Sequence, residues 1–123
     1  MSLLGLIRHR GARCDCYRPL VVDGVGGLPD VTWPTQPTAR NIRALPDQPS
    51  EELATKIFGR ETTCDVRLLC ERDADIAIDD GIAIRDGVYS GQRFRVRGKN
   101  PAAIKGRSQH LELACERTTE VFG

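Results

Sequence analysis

Between Gln92 and Pro101 the chain reads QRFRVRGKNP, with arginine at every second position, Arg93, Arg95 and Arg97, and with Lys99, Lys105 and Arg107 following. On a strand that spacing sets guanidinium groups on one face, roughly 6 to 7 Å apart. Such a row can meet a phosphate backbone without reading its sequence. It can equally form ion pairs with an acidic strand or a neighbouring subunit. The aromatic residues are three Phe, two Tyr and one Trp. That is too few for the stacking platforms of single-strand binders, so direct base readout is not expected.

Other residue types offer less chemistry. Five cysteines stand at 14, 16, 64, 70 and 115. No pair has the two-to-four-residue spacing on a turn that structural zinc sites use. Cys64, Cys70 and Cys115 fall on the apolar faces of expected strands, where a thiol behaves as a small hydrophobe. His9 and His110 are the only ordinary bases. His9 belongs to what reads as a loose terminus, and His110 opens a strand whose pattern packing already explains. DADIAIDD lacks the glycine and closing glutamate of an EF-hand loop, and GVGG has no Lys-Ser or Lys-Thr after it. The expectation is a non-enzymatic chain without metal or cofactor.

Charge is segregated along the chain rather than in excess. The net charge is +1, with seven acidic and two basic residues from Glu61 to Asp80, and seven basic and one acidic from Arg85 to Arg107. These are either solvated faces of adjacent strands or a basic and an acidic edge that meet different partners, as head-to-tail contact in a ring requires. An odd number of cysteines without a secretory signal argues for reduced thiols. The opening MSLLGLIRHRG reads as neither signal peptide nor membrane anchor, so synthesis in a cytoplasm is expected.

The elements that position these residues are mostly strands. RCDCYRPLVVDGVGGLPDVTW holds two apolar runs around Asp23, Gly24, Gly26 and Gly27, a hairpin or a loop with extended arms, and Pro34 and Pro37 keep WPTQPT extended. TARNIRAL reads as a strand ending at Pro46. Only one helix is expected, a short one between an N-cap at Ser50 and a stop at Gly59, capping an open barrel end or packing on a sheet. Cys64, Val66, Leu68 and Cys70 share one face of a strand, as do Leu111, Leu113 and Cys115, and QRFRVR alternates strictly. At 123 residues the whole chain, 1–123, is expected to form a single domain. Its class is mainly β: a small antiparallel β-barrel with one short helix and long loops, including an extended loop over about residues 21–37.

Taken in order, RGARCDCYRP, DGVGGLPDVTW, TARNIRALPDQPSEEL, FGRETTCDVRLLCERDADI, RFRVRGKNPAAI and HLELACE resemble the head-tail joining family of tailed bacteriophages, the stopper or head-closure proteins. The resemblance runs from about residue 8 to 117, and the chain departs from the family pattern at VYSGQ, 88–92. It implies a virion protein at the head-tail interface: a homo-oligomeric ring, hexamer or dodecamer. Such a ring retains packaged double-stranded DNA and offers the tail a docking surface. The implied partners are a portal or adaptor protein on one side, a tail terminator or tail tube protein on the other, and the passing DNA; no membrane is implied. Arg93, Arg95, Arg97, Lys99, Lys105 and Arg107 are then candidates for DNA, lumen or inter-subunit contact. Asp23, Gly26, Gly27 and Trp33, with Asp73, Asp75, Asp79 and Asp80, are candidates for partner or gating loops. The alternatives are another connector ring, adaptor or terminator, or a small nucleic-acid-binding barrel.

Overall fold

Alternation of apolar and polar residues builds strands with one buried face, and six of them close on themselves. The structure, a computed structural model, describes residues 2–104 and 107–122, with side chains given except at 101–104 and 107–109. The barrel order is β1 (Ala12–Tyr17), β4 (Ala39–Asp47), β5 (Val66–Cys70), β8 (Arg107–Arg117), β7 (Arg93–Ile104) and β6 (Gly81–Ile84), with β6 returning to β1. Every neighbouring pair is antiparallel. Cys14, Cys16, Val66, Leu68, Cys70, Ile82, Ile84, Phe94, Val96, Leu111, Leu113 and Cys115 fill the interior. Closure leaves the barrel without an edge strand.

Two irregularities re-aim side chains. β1 and β4 shift register between Cys14 and Cys16, with Asn41 at φ 54°. The Asn41 N–H donates to buried Asp15 at 3.2 Å, and Arg85 donates to the other oxygen of Asp15 at 2.9 Å. On β7, Val96 pairs with Cys115 but Gly98 pairs with Ala114, so Arg97 is an extra residue. This bulge reverses the strand's parity. Phe94 and Val96 point inward before it, whereas Gly98 lies outside, where an added Cβ would stand 2.9 Å from Thr62 Cγ2 and 3.2 Å from the Phe58 ring.

That contact seats α2 (Glu51–Phe58) on the outer face of the barrel. The Ser50 side chain accepts from Leu53 N–H at 3.2 Å, Glu51 and Glu52 occupy the first turn, and the Gly59 N–H returns to the Thr55 carbonyl at 2.9 Å with φ 96°. Of the two expected positions for this helix, it takes the sheet.

The expectation of one helix is corrected by a second, α1 (Leu3–Arg10), which contains His9. Ser2 caps it by accepting from Gly5 N–H at 3.0 Å, and Ile7 is its single buried residue. Eight residues including a glycine make a weak isolated helix, so tertiary contact must hold it. Gly11 provides that approach, since a Cβ there would lie 2.4 Å from the Ile7 carbonyl and 2.9 Å from Ala44 N. Strand β4 also runs past the expected stop, through Pro46 to Asp47. Its pairing with β1 ends at Ala44, so Pro46 faces a partner on one side only, where its missing N–H leaves nothing unsatisfied. Cys64 precedes β5 rather than sharing its buried face.

The extended loop is a separate ribbon. β2 (Leu20–Asp23) pairs with β3 (Pro29–Thr32) around a tight turn at Val25–Gly27, where Gly26 and Gly27 take φ 78° and 77°. All eight strand residues are exposed. Among the described residues no helix is long and apolar enough to cross a membrane.

Candidate functional site

The arginine row lies on the outer face of the barrel, and its members differ in what they meet. Arg95 donates to Glu120 at 2.8 Å and to the Asp79 carbonyl at 2.9 Å, and its guanidinium stacks over Trp33 at 4.9 Å from the ring centroid. Arg97 reaches Asp79 at 2.9 Å and Glu116 at 3.1 Å. Both charges are matched within the chain. Arg93 has no carboxylate within ion-pair distance among the described residues. Lys99 leaves the row: past the bulge it pairs with inward Leu113, and its ammonium donates to the buried Ile76 carbonyl at 2.8 Å. Lys105 lies outside the described residues, and Arg107 is described only by its backbone, opposite Ile104.

The acidic loop before β6 is held rather than free. Asp80 is 1% exposed and accepts from Arg18 Nε and Nη2 at 3.2 and 3.0 Å, from the Cys16 thiol at 3.2 Å and from Ala77 N–H at 2.8 Å. Arg18 also reaches Asp75 at 3.0 Å. These hydrogen bonds raise the pKa of Arg18 further above its ordinary range. Asp79 takes φ 75° and points its carboxylate at Arg97. Asp73 is exposed, beside Arg40 and Arg43 in a shallow groove.

Trp33, at the foot of the ribbon, belongs to a tail contact that the sequence reading did not include. Its indole N–H donates to Glu120 at 3.2 Å, and its ring lies 4.4 Å from that of Phe122, which also meets Tyr17 at 5.8 Å. Phe122 is buried against Gly81, where a Cβ would stand 2.7 Å from the ring. Arg95 first, then Trp33 and Thr118, hold the Glu120 carboxylate below its ordinary pKa. The signal was present in the sequence: an aromatic residue in the polar tail TTEVFG has no strand of its own to bury it.

The ribbon carries Asp23, Gly26 and Gly27 into solvent. Leu20, Val21, Val22, Val25, Leu28 and Val31 are exposed large apolar residues, Val25 at 99%. Lone exposed apolar residues are ordinary; six on one short ribbon are a local concentration, with Val21 and Val31 on one face and Leu20 and Val22 on the other.

The thiols are buried chemistry. Desolvation pushes Cys14 and Cys70 up to about 12 and raises Cys16 and Cys115 as well, which suppresses the thiolate. His110 sits inside β8, not at its start; its Nε2 lies 3.5 Å from Glu112, and its Nδ1 has no partner among the described residues. Among those residues no group of three or more His, Cys, Asp or Glu is arranged to hold a metal ion.

No family model and no curated protein matches the chain. Two solved structures are similar to it, of which the first shows the same fold. Protein SF1141 from Shigella flexneri 2a is 20% identical, with a TM-score of 0.59 over 89% of this chain and 94% of that one. The phage-like element PBSX protein xkdH from Bacillus subtilis is 18% identical, with a TM-score of 0.48 over 86% of this chain and 92% of that one.

Proposed function

We propose that the chain is a structural, non-enzymatic virion protein that assembles as a ring at the head-tail interface, closes the DNA-filled head and gives the tail its docking surface. The observation that carries this reading is the ribbon: a closed barrel satisfies its own strands, yet it projects an arm whose large apolar side chains a partner must cover. The order of motifs from RGARCDCYRP to HLELACE supports this assembly through its resemblance to the head-tail joining proteins. On this reading the portal or adaptor lies on one side, the tail terminator or tail tube on the other, and DNA passes through. The ion pairing of Arg95 and Arg97 within the chain weighs against a free nucleic-acid-binding barrel.

Deleting the gene from its phage and imaging the lysate by electron microscopy tests the proposal. Emptied heads beside separate, complete tails are expected. Intact virions would overturn it.

A further inference from the structure

The ribbon's charge says what should cover it. From Leu20 to Thr32 there is no basic residue and there are two acidic ones, Asp23 and Asp30, both exposed and neither ion-paired among the described residues. Each ribbon strand has one free edge, so backbone N–H and C=O groups are also available for pairing.

A complementary surface exists on the same chain. A groove of about 760 Å³ is lined by Gly91, Gln92, Arg93, Arg117, Thr118 and Thr119. Among the described residues Arg93 has no carboxylate partner, and the side chain of Arg117 reaches only Gln92 Oε1, at 3.4 Å. Asp65, close by, is engaged at one oxygen by the Arg117 backbone N–H at 2.9 Å. Three other surface grooves each contain at least one acidic residue: Asp86 in one, Glu71 and Asp73 in the next, Glu51 and Asp65 in the third. The first is lined by two arginines and no acid. Threonine methyls and arginine stems supply the apolar contact that the ribbon's valines require.

We propose that the β2–β3 ribbon of one copy seats in the Arg93–Arg117 groove of a second copy, with Asp23 and Asp30, which project from opposite faces of the ribbon, each meeting one of the two arginines. The inference rests on the ring reading above and names the contact that builds it. Arm and groove are different patches, so the contact is heterologous and each copy keeps one of each for the next.

A charge exchange tests it on the full chain. Asp23→Arg with Asp30→Arg reverses the arm, and Arg93→Glu with Arg117→Glu reverses the groove; circular dichroism melts verify that both variants fold. Sedimentation velocity over a concentration series should show wild-type assembly and, for each variant alone, a dissociation constant raised at least about tenfold. An equimolar mixture should recover assembly, because reversed arm then meets reversed groove and native arm meets native groove. No recovery in the mixture, or a wild type that stays monomeric throughout, would overturn the contact. Emptied heads in the deletion lysate alongside either of those results would remove this contact and keep the connector; intact virions would remove the connector itself.

Discussion

Asp80 is a carboxylate taken almost wholly out of water, and four donors from three residues replace its hydration. Exchanging it for asparagine keeps the shape but removes the buried charge that Arg18 answers, leaving the guanidinium with the exposed Asp75 as its carboxylate partner. That substitution is expected to cost roughly 2 to 3 kcal/mol, read as a lower urea midpoint with an unchanged slope. A midpoint within error of wild type would mean that the network is ornamental. In the sequence Asp80 is legible only as the first half of an Asp-Gly turn signal. Its burial depends on Arg18, 62 residues away in the chain, and no local pattern encodes that meeting. The same holds for the arginine row: alternation gives Arg95 and Arg97 a common strand face, but their partners Glu120, Glu116 and Asp79 come from three separate places.

At the level of elements, the C-terminal tail acts as a latch across Trp33 and Gly81, and it carries its own reporter, since the chain has one tryptophan. The Glu120 carboxylate is held below its ordinary value of 4.5. A depressed folded value means that its contribution is complete above 4.5 and is lost as pH falls through the lower folded value. Trp33 emission is therefore expected to stay constant from neutral pH down to that range and to change below it. Glu120→Gln should abolish this change, and Gly81→Ala should reproduce it at neutral pH by displacing the Phe122 ring. Emission that is indifferent to all three would remove the latch. Elements with explicit end signals were legible: Ser50, the two glutamates and Gly59 bound α2 as written. Helix α1 was not, because its stability comes from β4 and its cap is a single serine. The bulge at Arg97 was equally hidden, and with it the departure of Lys99 from the row, since nothing in QRFRVRGKNP marks where parity reverses.

Across the whole molecule, many charged side chains find their partners within the same chain. Arg67 pairs with Asp47 and Glu112, Arg97 with Asp79 and Glu116, and Arg18 with Asp75 and Asp80. Of these pairs Arg97–Asp79 alone joins the acidic run to the basic one, the other partners coming from elsewhere in the chain; with the charges paired and a net charge of +1, little field is left for DNA. The isolated chain is accordingly expected to bind duplex DNA no more tightly than the non-specific range, about 10⁻⁴ to 10⁻⁶ M at physiological salt. Fluorescence anisotropy against a salt series measures this, and tight binding with a steep salt slope would restore the nucleic-acid-binding reading. The class, mainly β with a projecting arm, follows from period-two patterning and turn residues. The closed order does not, because β1 lies between β4 and β6 and β5 between β4 and β8, pairings that join distant parts of the chain.

A sheet with an edge fails under tension by peeling, one hydrogen bond after another from the unprotected strand. Here each barrel strand is laddered on both sides, so a pull on any one loads two ladders together in shear. The ribbon is moored to this frame at both ends: the Thr38 N–H donates to the Cys16 carbonyl at 2.7 Å, and the Arg18 N–H donates to the Thr38 hydroxyl at 3.1 Å. Force arriving at the arm is thus delivered to the β1–β4 seam and spread around the circumference, so the arm behaves as a tether on a hoop.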